Sequence, residues 1–128
     1  MTRSVLLIED ETTLAKNVGA YLGRYDYDVR IATTAESGLA ELDAFKPDIV
    51  VLDFNLPGMN GLEALSRIRA IDGQIKVLMM TAYGGADLEV KAIRAGASDF
   101  VTKPISVAKL KLKLEGIVID PPRDQAWS

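Results

Sequence analysis

The stretch that most limits what this chain can become is Asp48-Ile49-Val50-Val51-Leu52-Asp53-Phe54-Asn55-Leu56-Pro57-Gly58-Met59-Asn60-Gly61. An apolar run between acids suits a strand buried on both faces, the kind found in parallel sheets covered by helices. Pro57 presets φ for the first central position of a turn, and Gly58 tolerates the positive φ that a type II turn needs next. Asp53 therefore stands where a buried strand emerges, and in open α/β sheets ligands bind outside that edge.

The rest of the chain repeats this layout. Residues 4–8 (SVLLI) predict a first strand ending at Glu9-Asp10-Glu11. Thr12 or Thr13 can cap a helix whose apolar positions Leu14, Val18, Tyr21 and Leu22 recur at helical spacing. After a polar break, residues 29–32 predict a short second strand. Thr34, with Glu36 and Ser37, opens a second helix carrying Leu39, Leu42 and Phe45, and Pro47 stops it. The third strand covers 48–53, and a helix over 61–70 places Leu62, Leu65 and Ile68 on one stripe. Residues 76–81 (KVLMMT) predict a fourth strand, and a helix over 86–95 is expected to turn Leu88, Val90 and Ile93 inward, with Gly96 after its end. A fifth strand over 98–102 leads to Lys103-Pro104.

The last segment reads two ways. Residues 109–114 alternate lysine and leucine, a strand signal, whereas Val107, Leu110, Leu114 and Ile117 fit a helical stripe. Four βα units precede it, which favours a fifth helix over 106–115 and leaves Leu112 off the stripe. Residues 1–118 are expected to form one domain, with 119–128 a polar, proline-containing tail or the start of a linker to an absent output domain. Alternating strands and helices imply an α/β, doubly wound parallel sheet with right-handed crossovers. For five strands the flavodoxin-like order 2-1-3-4-5 is expected, taken over from known folds of this layout rather than deduced.

Composition removes whole chemistries. The 128 residues include no cysteine and no histidine, so disulfides, Cys/His zinc sites and Ser-His nucleophiles are excluded, and any bound metal must be a hard cation held by oxygen. A phosphoryl group arriving from histidine would come from another protein. The formal net charge of −3, without a basic run, lacks the footprint of a nucleic-acid binder. No signal-peptide layout or membrane-length span is visible, so cytoplasmic is the default and no membrane partner is expected.

The conspicuous polar residues all fall just after strands: Glu9 and Asp10, then Asp53, Thr81 and Lys103. In a parallel sheet those ends share one edge. Two carboxylates about 4 Å apart repel by roughly 4 kcal/mol at an effective dielectric near 20. The cluster would hold at least one carboxyl pKa high and would welcome a divalent cation, with Mg²⁺ the natural occupant. Taken singly, the acids read as helix caps or turn residues, Thr81 as a strand residue and Lys103 as a surface one. Their conjunction at one edge carries the argument.

At these residues the chain resembles the receiver domain of two-component response regulators, over about residues 4–118. The matching motifs are Leu7-Ile8-Glu9-Asp10-Glu11, Val51-Leu52-Asp53 with Leu56-Pro57-Gly58-Met59-Asn60-Gly61, Met80-Thr81-Ala82, and Asp99-Phe100-Val101-Thr102-Lys103-Pro104. The resemblance implies that Asp53 is the phosphoacceptor. It also implies that Mg²⁺ is held by Asp10, Asp53, the backbone carbonyl of Asn55 and, through water, Glu9. Thr81 and Lys103 would contact the phosphoryl oxygens, Phe100 would be the switch aromatic, and Lys103-Pro104 a cis peptide. Asn55 and Tyr83 occupy positions that tune dephosphorylation in the family. Glu9 departs from the commoner Asp, and the alternating fifth helix is unusual.

The expected function is a phosphorylation-controlled switch that accepts a phosphoryl group on Asp53 from a histidine kinase or phosphotransfer protein. It is a signalling module, not a metabolic enzyme, although it assists its own phosphorylation and hydrolysis. A homodimer through the fourth helix, fifth strand and fifth helix is also implied, with Leu112 on that face. The stretches around Thr81 and from Gly96 to Pro104 look most like receivers attached to transcriptional activators; this domain itself would not bind nucleic acid. Two alternatives stay open: a phosphorylation-independent pseudo-receiver, distinguished by no response to Mg²⁺, and an aspartate phosphatase. The second usually wants an acid two residues beyond the nucleophile, where this chain has Asn55.

Overall fold

The computed structural model describes residues 2–82 and 84–118. The expected tail at 119–128 lies outside the described residues, as does Tyr83. In chain order the elements are β1 (Arg3–Ile8), α1 (Thr12–Gly23), β2 (Tyr27–Ala32), α2 (Ala35–Phe45), β3 (Ile49–Asp53), α3 (Gly61–Ile71), β4 (Lys76–Thr81), α4 (Ala86–Arg94), β5 (Asp99–Thr102) and α5 (Val107–Val118). The five strands form one parallel sheet in the order β2-β1-β3-β4-β5.

Alternation along the central strands explains why the sheet is covered twice. Leu6 and Ile8 of β1, Val50 and Leu52 of β3, and Val77 and Met79 of β4 point to a core closed by Leu42 of α2, Leu65 and Ile68 of α3, and Ala92 of α4. Val5, Leu7, Ile49, Val51, Leu78 and Met80 point the other way, against Val18 and Leu22 of α1 and Leu110, Leu114 and Ile117 of α5. Successive strand side chains face opposite sides, so a continuous apolar strand needs helices on both.

Local chemistry sets the helix ends. Thr34 caps α2 reciprocally with Ser37, Asn60 caps α3 by accepting the Glu63 N–H at 3.0 Å, and Ser106 accepts the Lys109 N–H at 3.1 Å. Gly58 has φ +86, the value that the Pro57-Gly58 turn needs. A Cβ on Gly61 would lie 2.6 Å from the Phe54 Cα, so the loop after β3 closes tightly only because that residue has no side chain.

Several sequence expectations need correction. α1 begins at Thr12 and its N-cap is Glu11, which makes no side-chain capping bond, so Thr12 and Thr13 already lie in the helix. β2 begins at Tyr27, whose ring is buried, rather than at Val29. α4 buries Ala92 and packs Leu88 against the core, leaving Val90 47% and Ile93 46% exposed. At about 100° per residue Val90 stands some 200° round from Leu88, so the two cannot share a face. α5 is the helix expected, but it runs on to Val118 rather than ending at 115. Its stripe buries Leu110, Leu114 and Ile117 and leaves Leu112 65% exposed, so burial of one face overrides the period-two pattern.

Candidate functional site

The register carries the chemical residues to one edge and pins each to a neighbouring strand end. The Glu9 N–H donates to the Ala32 carbonyl at 2.9 Å, Phe54 N–H to Met80 at 2.7 Å, and Lys103 N–H to Thr81 at 2.7 Å. Residues separated by up to 94 positions in sequence therefore meet within hydrogen-bond distance, as Lys103 and Glu9 do.

Glu9, Asp10 and Asp53 each offer an oxygen within 4.8 Å of the others. Glu9 and Asp53 are buried, with side chains 0% and 4% exposed, while Asp10 faces solvent. The Lys103 ammonium lies between the two buried acids, 2.6 Å from Glu9 Oε1 and 3.1 Å from Asp53 Oδ2. The remaining oxygens are served by the backbone: Glu11 N–H donates to Glu9 Oε2 and Asn55 N–H to Asp53 Oδ1, both at 3.1 Å. Among the described residues no buried side-chain polar atom lacks a hydrogen-bond partner.

Burial pushes the Glu9 carboxyl up from 4.5 to about 7. The Lys103 ammonium and the Glu11 N–H oppose this, and Asp53 adds to it. For Lys103, burial pulls the pKa down, but Glu9 and Asp53 outweigh that and raise it above its ordinary value. The Glu9 shift has a consequence for stability. Below pH 4.5 Glu9 is protonated whether the chain is folded or not. Above that the unfolded chain ionises first, so folding loses stability until the pH passes about 7. Chemical denaturation of the metal-free protein is expected to show this decline, and Glu9→Gln to lack that part of it. An unchanged slope in the variant would contradict the assignment.

Thr81 is fully buried at the end of β4, and its hydroxyl donates to Asn55 Oδ1 at 2.8 Å. Phe100 is 8% exposed, on β5. The backbone at Gly84 closes over both: a Cβ there would lie 2.9 Å from Thr81 Cγ2 and 3.3 Å from Phe100 Cε1. The Lys103–Pro104 peptide bond is cis. The structure thus brings together Glu9, Asp10, Asp53, Asn55, Thr81 and Lys103, with Phe100 beneath the neighbouring loop. Sequence reasoning missed three features. These are the direct Lys103–Glu9 pair, the Glu11 N–H on Glu9, and the side-chain contact between Asn55 and Thr81. Only strand adjacency could have revealed the first and third, whereas the Glu11 bond is local, two residues along the chain. The donor set fits a hard cation: three carboxylates, no nitrogen or sulfur ligand, and a carboxyl whose charge burial disfavours until a cation answers it.

Comparison with known proteins shows the family. The family description of the response regulator receiver domain fits residues 5–115, and the chain belongs to that family. It is 40% identical over 117 residues to Chemotaxis protein CheY of Listeria monocytogenes, covering 86% of this chain and 94% of that protein. It is 35% identical over 127 residues to Transcriptional regulatory protein TrcR of Mycobacterium tuberculosis, covering 95% of this chain and 49% of that protein. The chain thus spans about half the length of that relative. Among solved structures, a CheY-like response regulator receiver domain protein from Methanospirillum hungatei superposes with a TM-score of 0.83 at 27% identity. That match covers 94% of this chain and 100% of the other. The chain is therefore a signalling domain of two-component systems, a class that works with histidine kinases or phosphotransfer proteins.

Proposed function

We propose that this domain is a switch that takes a phosphoryl group onto Asp53 from the histidine of a kinase or phosphotransfer protein, in the cytoplasm. The observation that carries the reading is the buried Asp53 carboxylate held between the Lys103 ammonium and the Asn55 N–H, beside two further acids. An Asp53 oxygen attacks phosphorus. The new O–P bond forms as the donor P–N bond breaks, and the electron pair leaves on the imidazole nitrogen. Glu9, Asp10, Asp53 and the Asn55 backbone carbonyl would hold Mg²⁺. When bound, the ion neutralises charge on the transferring oxygens. Lys103, within reach of the oxygen on Asp53, supplies the chain's own positive charge there. Thr81 then donates its hydroxyl to the phosphoryl group, and Phe100 and the loop at Gly84 resettle around it, a local charge change biasing a two-state element.

Incubation with a small acyl phosphate and Mg²⁺ tests this. One acid-labile phosphoryl group located on Asp53 by mass spectrometry is expected, and an unmodified chain would overturn the reading. A chain that folds normally but shows no response to Mg²⁺ would favour the pseudo-receiver. On the likeness to TrcR, the output is proposed to be transcriptional, without nucleic-acid contacts from this domain.

Homodimerisation is proposed on α4, β5 and α5. Its support is the half-exposed Val90 and Ile93 on α4 and the exposed Leu112 on α5. The phosphorylated protein is expected to sediment as a concentration-dependent dimer, and Leu112→Glu to return it to monomer. A phosphorylated wild-type chain that stays monomeric at high concentration would contradict this.

A further inference from the structure

We propose that the Asn55 carboxamide is a positioning residue that holds Thr81 in its resting arrangement, by competing with the phosphoryl group for the Thr81 hydroxyl proton. This rests on the phosphoacceptor reading of Asp53 and adds what opposes the switch. The Thr81 hydroxyl donates to Asn55 Oδ1 at 2.8 Å. The same hydroxyl is the group that must answer a phosphoryl oxygen on Asp53, and one proton cannot serve both acceptors fully.

The arrangement is held from both sides of Thr81. On one side, the Asn55 N–H bond to Asp53 Oδ1, 3.1 Å, fixes the start of the loop after β3 so that the carboxamide reaches β4. On the other, the Gly84 backbone lies against the Thr81 methyl, where even an added Cβ would come within 2.9 Å. Turning the hydroxyl toward Asp53 therefore breaks the bond to Asn55 and displaces the methyl from its packing against the loop that also covers Phe100. The Thr81 side chain is fully buried, and the bond to Asn55 belongs to the resting arrangement, so removing Oδ1 takes away a contact that the switched arrangement does not make. Asn55 itself is exposed, which lets water replace part of the lost bond and sets the lower end of the expected effect.

The test is a titration with beryllium trifluoride, a mimic of a phosphoryl group on a carboxylate, at saturating Mg²⁺ and followed by backbone amide resonances. Asn55→Ala keeps the backbone carbonyl and is expected to bind the mimic about threefold to tenfold more tightly. Thr81→Val keeps the shape and removes the proton. It should bind more weakly, and adding Asn55→Ala to it should change nothing further, because the competition then has no object. Unchanged or weaker binding by Asn55→Ala overturns the inference, as does equal tightening in the Thr81→Val background. Failure of the wild-type chain to bind the mimic at all would instead overturn the phosphoacceptor reading beneath it.

Discussion

Asp53→Asn is expected to take up no phosphoryl group from a small acyl phosphate and Mg²⁺, while folding as the wild type does. The amide keeps the volume of the carboxyl and can still accept the Asn55 N–H that now reaches Oδ1 at 3.1 Å. What it lacks is an anionic oxygen able to form the acyl phosphate, so the loss is of chemistry and not of shape. The folded state should not suffer. Asp53 is one of the groups that raise Glu9, through a hydrogen bond and through its charge, so its removal brings Glu9 back toward its ordinary value. Lys103 keeps its 2.6 Å partner in Glu9. Mass spectrometry of labelling and chemical denaturation together decide the matter. Undiminished acid-labile labelling of the variant would remove Asp53 from its assigned role, and unfolding would show that its charge is needed for the sheet edge.

Lys103→Met comes second in size. The methionine side chain fills much of the space of the lysine stem but brings no charge to the transferring oxygens. Loss of one preorganised donor at a transition state commonly costs about 10²–10³ in rate, and a fall of that order in the rate of phosphorylation is expected. Stability at neutral pH should change less. Without the ammonium, Glu9 loses one of the influences that hold its pKa down, and it rises further above about 7. The buried acid then neutralises by protonation, which avoids the larger cost of an unpaired buried charge. Stopped-time labelling with the acyl phosphate gives the rate. A value within threefold of wild type would show that Lys103 only balances resting charge.

How far the fold was legible depended on how local its causes are. β3 and β4 were readable almost to the residue, because four or more apolar residues bounded by polar ones admit few alternatives. Thr34 and Ser37 announced α2 for a similar reason, since the capping bonds lie within one turn. α4 forms where expected and packs Leu88 inward, but Val90 and Ile93 face out: a short amphipathic segment offers several apolar residues, and packing selects Leu88 and Ala92 among them. α5 was ambiguous because its leucines and lysines satisfy two periods at once, and packing against α1 and β4 chose between them.

The candidate site divides along the same line. Sequence alone determined which chemistry was available: oxygen donors without thiol or imidazole, a carboxylate at a strand exit, and a hydroxyl and an amine after two later strands. Those are properties of residue type and position along the chain. Tertiary structure decided who meets whom. It set Lys103 on Glu9 as well as on Asp53, drove the Glu9 carboxyl to about 7 by burial, and turned the Thr81 hydroxyl to Asn55. Pairing of β1 with β3, β3 with β4 and β4 with β5 brings these groups within 3 Å or so, where electrostatics and hydrogen bonding act. That distance is a property of the sheet, and no stretch of the chain carries it by itself.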